Sequence, residues 1–310
     1  MIDCGAQIYV TDTLPFKPHG RVIALGLFDG LHMGHIDIIK KTVRLSAAHN
    51  LTPMVQTFTG LVKTPGGDLY TTEERCEIMS SLGASEILVL PFPDVKEMPG
   101  GKFFDDVLYM RAGAECLVCG DDYTFGKDGA GDIKLLKDLA KSKDVGVKVV
   151  PQVEDAGRRI SSTWIKELLG QGDVKKVASL CDGRFYFYTG TVVKGKQMGR
   201  EMGFPTANIR VNKFCARRGV YASKLTLGNR TLFGVTNIGR RPTLESNAQD
   251  DVAETFIFDF DEDIYGAKIK VELLDFLRPE TIFKSKDELI AAVSENKANA
   301  RQIVRDLGLT

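Results

Sequence analysis

The stretch Gly26-Leu27-Phe28-Asp29-Gly30-Leu31-His32-Met33-Gly34-His35 begins inside an apolar run, Val22–Leu27, and leads into a helical pattern over residues 35–49. A strand-to-helix turn with three glycines lets the backbone approach a ligand closely and take angles that other residues avoid. The helix start near His35 offers unpaired N–H groups and the positive end of a dipole, both suited to a phosphate. Two of the four histidines in the chain lie three apart here, with glycine between them. Imidazoles so placed donate hydrogen bonds to phosphoryl oxygens as charge builds in a transition state. Nucleotidyl transfer needs little more, because positioning and charge stabilisation dominate its catalysis.

Outward from this turn, short apolar runs alternate with helical patterns. The runs are Val22–Leu27, Pro53–Phe58, Glu86–Phe92, Ala114–Cys119 and Val145–Val153, and helices are predicted near 35–49, 71–83, 102–112 and 131–143. Continuous Val, Ile and Leu without clean alternation is the pattern of parallel strands buried on both faces. Thr71 and Glu74 have capping-box spacing at the second helix. The predicted fold of this half is α/β, a doubly wound parallel sheet with ligands at the carboxyl ends of its strands. After Asp182 the pattern changes to strand-like pieces at Arg184–Val193, Gly219–Leu227, Thr231–Asn237, Ala253–Phe260 and Lys268–Phe276, punctuated by glycines. Such spacing predicts a compact antiparallel β-barrel, closed by an amphipathic helix over Lys286–Leu307. Two domains are expected, residues 1–182 and 183–310.

Composition narrows the function classes. The 310 residues are 43% hydrophobic and 26% charged, with 41 Lys+Arg against 41 Asp+Glu. A zero formal charge argues against a dedicated nucleic-acid binder, which meets phosphate with a basic excess. Of six cysteines only Cys116 and Cys119 have metal-like spacing. With Leu117 and Val118 between them they read as a buried strand, since zinc needs four ligands. Free thiols suggest a reducing compartment, and no apolar run reaches the length of a membrane span. A cytoplasmic enzyme is expected, with no membrane partner and an oligomeric state that composition leaves open.

Two more segments suit a nucleotide. Cys119-Gly120-Asp121-Asp122-Tyr123-Thr124-Phe125-Gly126 leaves the fourth strand as a polar, Gly-flanked loop, and Arg158-Arg159-Ile160-Ser161-Ser162-Thr163 precedes a helix. Hydroxyls at a helix start cap it or bind phosphate, and the neighbouring arginines favour phosphate. Neither a Walker A sequence nor Gly-x-Gly-x-x-Gly is present. The His-x-Gly-His pattern alone marks a superfamily that includes class I aminoacyl-tRNA synthetases, without choosing a substrate.

In the second half, Gly195, Gly199 and Gly203 with Lys194, Lys196 and Arg200 make a flexible cationic loop suited to nucleotide phosphates. Thr206 and Asn208, two apart on an extended segment, share a face, and an oxygen from each suits Mg2+ bridging ATP phosphates.

Taken together, these segments make the chain similar to the bacterial bifunctional riboflavin kinase/FAD synthetases. Phe-Asp-Gly-x-His-x-Gly-His, Gly-Asp-Asp-Tyr-Thr-Phe-Gly and Ile-Ser-Ser-Thr resemble the adenylyltransferase module. The kinase module is resembled at Gly203–Asn208, Gly234–Thr243 and Asp263–Gly266. The resemblance implies two reactions, each with ATP as substrate and Mg2+ as cofactor: riboflavin to FMN in the barrel, then FMN to FAD in the N-terminal domain. It implies His32 and His35 at the transferring phosphoryl group, with Gly26, Phe28, Asp29, Asp122, Arg159, Ser161, Ser162 and Thr163 around the nucleotide. Gly195, Gly199, Arg200 and Asn208 are implied as kinase nucleotide contacts, Thr206 and Asn208 as metal ligands, and Glu254 as the base for riboflavin's terminal hydroxyl.

Four positions depart from the family pattern. Leu27 stands where Asn is frequent. Thr57-Phe58-Thr59-Gly60-Leu61 replaces an acidic residue followed by Pro-His-Pro. Phe256 stands where His is common, and Trp164 is an unusual follower of Ile-Ser-Ser-Thr. Competing readings are an FAD synthetase with a silent, flavin-binding barrel, and a flavin sensor that turns nothing over. Consumption of ATP separates the sensor from the enzymes.

Overall fold

The computed structural model describes residues 5–10, 20–60, 66–194, 206–242 and 249–309. Its contacts divide the chain into two compact units, Met1–Ser162 and Thr163–Thr310.

In the first unit six strands form one sheet: β1 (Gln7–Val10), β2 (Arg21–Leu25), β3 (Thr52–Thr59), β4 (Glu86–Pro91), β5 (Ala114–Gly120) and β6 (Gly146–Val150). The order is β1-β4-β3-β2-β5-β6 and every pairing is parallel. All five β2 residues are buried, as a strand covered on both faces requires. The chain steps from β2 towards β3 and β4, then returns to the other side of β2 with β5. That reversal opens a crevice at the carboxyl ends of β2 and β5, where an open α/β sheet takes its ligands. Helix α1 (Met33–His49) follows β2, and α2 (Thr72–Ser81) precedes β4. The predicted capping box is present: Glu74 N donates to Thr71 Oγ1 at 3.2 Å and Thr71 N to Glu74 Oε2 at 3.0 Å. At the amino ends of β2 and β4, buried Arg21 donates to Glu86 Oε2 at 2.5 Å and to Ala112 O at 2.9 Å. Cys116 and Cys119 stand on β5.

Differences from the sequence reading are local. Strand β1 was not foreseen, since four residues are too few to show a period. The helix expected at 102–112 is wound as a π-helix over Phe103–Arg111. Strand β6 ends at Val150, before a two-residue hairpin of β7 (Glu154–Asp155) and β8 (Arg158–Arg159).

The second unit opens with helices Ser162–Gln171 (whose first residue belongs to the first unit) and Val174–Leu180. Strands β9 (Phe187–Thr191), β10 (Thr206–Arg210), β11 (Gly219–Leu227), β12 (Arg230–Pro242), β13 (Gln249–Ile257) and β14 (Lys268–Arg278) follow. Their order is β10-β13-β12-β11-β14-β9 with antiparallel pairing throughout. Val193 N donates to Asn208 O at 2.9 Å, which draws the two edges together into a nearly closed barrel. The helix Lys286–Asp306, capped by Ser285, packs Ala300 and Val304 on Ala222, Phe258 and Leu274.

Candidate active sites

The turn after β2 is held in an unusual conformation. Phe28, Gly30 and Leu31 all have positive φ (58°, 86° and 42°), a cost that non-glycine residues bear only when their surroundings fix them. Those surroundings are visible: Phe28 and Leu31 are fully buried, and the Asp29 carboxylate accepts from Leu69 N at 2.8 Å and Tyr70 N at 3.3 Å. Ser162 Oγ donates to Asp29 O at 2.5 Å, tying the turn to the distant Ser161-Ser162 segment. Asp29 and Ser162 thus shape the site, Asp29 doing so from a buried position. Gly26 packs under Phe28; a Cβ there would lie 3.1 Å from the Phe28 ring.

The turn delivers His32 and His35 as a stacked pair, ring centroids 3.8 Å apart and planes 20° apart, with Phe28 edge-on to His35 at 5.3 Å. Both Nδ1 atoms are buried without a protein partner. Burial, with the Arg159 charge next, brings the His32 imidazole down to about 4, Asp122 opposing weakly. His35 lies well below the ordinary histidine value through burial, then His32 and Arg159. Both rings are therefore neutral near pH 7 and act as N–H donors. The α1 N-terminus beside them has no side-chain cap and no acidic residue in its first turn, unlike α2 with Glu73 and Glu74. An open, uncapped helix end next to two buried imidazoles has the donors to take an anion.

A cavity of about 230 Å3 gathers His32, Gly34, His35, Asp121, Asp122, Arg159, Ser161 and Ser162 along its wall. Arg159 Nη2 donates to Asp122 Oδ2 across it. Beside it lie two more cavities, of about 300 and 510 Å3, which share Phe58, Phe92 and Thr124; Gly26, Phe28, His35 and Asp122 line the smaller. Asp29 is absent from all three walls, whereas Gln152 and Val153, which sequence reasoning passed over, border the first. Thr163 follows Ser162 in its helix, at the start of the second unit.

In the barrel the candidates among the described residues, Thr206, Asn208 and Glu254, stand on strands. Asn208 faces Glu254 in the β10–β13 register, and Asn237 faces Glu254 in the β12–β13 register. Thr206 Oγ1 donates to Glu254 Oε1 at 2.7 Å, and Asn208 Nδ2 donates to Thr206 O at 3.3 Å and Thr206 Oγ1 at 3.4 Å. Asn208 is buried and its Oδ1 has no hydrogen-bond partner. A buried amide oxygen left without a donor, beside a hydroxyl oxygen, is a hard-oxygen pair that fits Mg2+. A cavity of about 280 Å3 adjoins, with Thr206, Asn237, Glu254 and Glu280 at its polar part and Val220, Val235, Phe256, Phe283, Leu289 and Val293 at its apolar part. Gly195, Gly199 and Arg200 lie outside the described residues.

Comparison with known proteins finds a separate family for each half of the chain. A family model described as FAD synthetase matches residues 15–164, and one described as riboflavin kinase matches residues 182–304. A bifunctional riboflavin kinase/FMN adenylyltransferase from Bacillus subtilis is 33% identical over 90% of this chain and 91% of its own. The chain belongs to the bifunctional riboflavin kinase/FMN adenylyltransferase family. The relative of the same description from Escherichia coli is 31% identical, with 94% of each chain covered. The fold is that of a crystal structure described as a macrolide-efflux protein from Streptococcus pneumoniae (TM-score 0.83, 27% identity, 95% of this chain and 98% of that one). No helix among the described residues is long and apolar enough to cross a membrane.

Membership in this family gives the departures a structural setting. At Leu27 the backbone carbonyl accepts a hydrogen bond from Thr57 Oγ1 at 2.7 Å. Phe58, within the stretch that stands in place of an acidic residue followed by Pro-His-Pro, lines both aromatic cavities. Phe256 extends the apolar part of the barrel cavity.

Proposed function

We propose that this chain converts riboflavin to FAD in two ATP-dependent steps, with residues 183–310 serving the first and residues 1–182 the second. The observation that supports this best is the presence, one in each unit, of two sites with different chemistry: a carboxylate with hard-oxygen metal donors, and a neutral histidine pair at an open helix end.

In the barrel, Glu254 takes the proton of riboflavin's terminal hydroxyl as that oxygen attacks the γ-phosphorus of ATP, yielding FMN and ADP. Thr206 Oγ1 and Asn208 Oδ1 would hold Mg2+, which would supply positive charge against the phosphates of ATP. The cavity beside Glu254 accepts an amphipathic molecule, with Phe256 and Phe283 against a flat ring system and Asn237 and Glu280 towards its hydroxyls.

In the first unit, the FMN phosphate attacks the α-phosphorus of a second ATP, yielding FAD and pyrophosphate without a covalent enzyme intermediate. His32, His35 and the α1 N–H groups stabilise the oxygens of the transferring group. Gly26, Phe28, Asp122, Arg159, Ser161 and Ser162 surround the nucleotide, and Asp29 holds the turn. The aromatic cavity lined by Phe58 and Phe92 receives the flavin ring. A chromatographic time course with purified protein, riboflavin, ATP and Mg2+ tests the whole reading. FMN should rise first and FAD follow. Unchanged riboflavin with conversion of added FMN to FAD would assign the barrel a silent role, and unchanged ATP would refute both activities.

A further inference from the structure

Strand β3 carries a polar side chain that its surroundings do not serve. Gln56 is fully buried, and among the described residues neither its Oε1 nor its Nε2 has a hydrogen-bond partner. A buried amide with nothing to bond is destabilising, because each unmet donor or acceptor keeps its desolvation penalty. In register, Gln56 lies between Leu25 of β2 and Leu88 of β4. Side chains two apart on a strand share a face, so Gln56 goes with Met54 and Phe58. Met54, Leu25 and Leu88 belong to one apolar cluster, and Phe58 and Tyr123 pack against it. Leucine would suit that cluster; glutamine does not.

The same face leads to the aromatic cavities. Phe58, the next side chain along from Gln56, lines both, and Leu25, its neighbour across the ladder, lines the smaller. Tyr123 lines the smaller cavity too, its ring stacked on Phe125 with centroids 5.8 Å and planes 11° apart. The Tyr123 hydroxyl is likewise buried with no hydrogen-bond partner among the described residues. Burial, then Cys119, pushes its pKa up, so it stays an O–H donor. An amide donor, an amide acceptor and a hydroxyl donor therefore stand unused beside cavities walled by Phe58 and Phe92.

We infer that Gln56 and Tyr123 form the polar end of the flavin cavity and select the ring by its pyrimidine edge. That edge presents C2=O, N3–H and C4=O: an acceptor, a donor and an acceptor. Gln56 Oε1 accepts from N3–H, Gln56 Nε2 donates to one flanking carbonyl, and the Tyr123 hydroxyl donates to the other. Adenine, with one donor beside one acceptor on its amino edge, leaves the third group unmet. Buried polar groups reject an analogue that leaves them unpaired far more strongly than an apolar slot does. The inference rests on the reading of these cavities as the flavin part of the adenylyltransferase site.

Formation of FAD from FMN reports this site apart from the barrel. The test therefore uses the full chain with ATP, Mg2+ and either FMN or N3-methylated FMN, whose edge lacks the donor. The wild type should prefer FMN by on the order of a hundredfold in kcat/KM. Gln56→Leu, close in volume, should raise KM for FMN by on the order of tenfold or more and bring the preference towards one. Its kcat and its KM for ATP should stay within about twofold, as expected when a ground-state contact to one substrate is lost. Tyr123→Phe should raise KM for FMN by roughly threefold to tenfold, the scale of one hydrogen bond. Thermal unfolding separates recognition from packing: ligand-free Gln56→Leu should melt higher than the wild type, because the unmet amide is gone. A Gln56→Leu protein that melts higher but keeps its KM for FMN and its preference over the methylated analogue would overturn the inference. So would a rise confined to KM for ATP. No FAD from FMN in the wild type would overturn the adenylyltransferase reading and this inference together.

Discussion

On the proposed reading, the two units solve the same problem, holding phosphate and a nucleophile in register, by opposite means. In the first, the candidate groups come from the turn after β2 and the start of α1 (residues 26–35), from the loop after β5 (residues 121–122), and from the end of the short β7–β8 hairpin and the segment that follows it (residues 159–162). Each loop is free to vary, so extra bonds fix it, such as Asp29 to Leu69 and Tyr70 and Ser162 to Asp29. In the barrel, Thr206, Asn208, Asn237 and Glu254 sit on three neighbouring strands, and their alignment is the register itself. A one-residue slip would turn all of them to the other face. The difference teaches that a loop-borne site needs dedicated positioning bonds, whereas a strand-borne site is positioned by the ladder that folds the domain.

The sharpest way to break this comparison is to disable one site and measure the other. His32→Ala should lower FAD formation from FMN by about 10²–10³, the loss expected for one donor to a developing charge, and leave riboflavin phosphorylation unchanged. Glu254→Gln should do the reverse, with a loss of about 10²–10⁴ in FMN formation. Separate assays with riboflavin and with FMN check this, and equal loss of both activities in either folded variant would deny the division of labour.

Acid should distinguish the units next. The unfolded His32 titrates near 6.5 and the folded one near 4, so the stabilisation is complete above 6.5 and declines as pH falls. The expected loss is about 2 kcal/mol by pH 5 and about 3 kcal/mol by pH 4. His35 acts in the same direction. Hydrogen-exchange protection of β2 and β5 amides, corrected for intrinsic rates, should fall between pH 7 and 5 more steeply than that of β11 and β12, whose unit has no histidine. His32→Gln should flatten the first slope.

Two barrel glycines give the smallest and most local test. A Cβ on Gly234 would lie 2.3 Å from the Phe256 backbone oxygen, and one on Gly239 would lie 2.4 Å from Glu280 Oε1. The backbone cannot yield without disturbing the β12–β13 ladder, so Gly234→Ala should cost about 2–3 kcal/mol in urea denaturation. The Glu280 carboxylate swings aside, so Gly239→Ala should cost less than about 1 kcal/mol and register mainly in riboflavin KM.

By itself the sequence determined the kinds of element, their order and the chemistry available to each. Apolar runs without alternation marked the parallel strands, Thr71 and Glu74 marked the start of α2, and two histidines three apart in a glycine-rich turn marked the first site. These signals are local, carried by periodicity, caps and turn chemistry within a few residues. Tertiary structure decided everything that depends on distant partners. The Arg159–Asp122 bond joins residues 37 apart, Thr206 and Glu254 are 48 apart, and Ser162 meets the Asp29 carbonyl across 133 residues. It placed Asp29 in the interior, where its carboxylate accepts from Leu69 N and Tyr70 N. It also set the charge state of the histidines, because desolvation is a property of the packed surroundings and not of any one residue. Residue types say what a site can do; the fold decides which groups are neutral, which are paired and which remain available to a ligand.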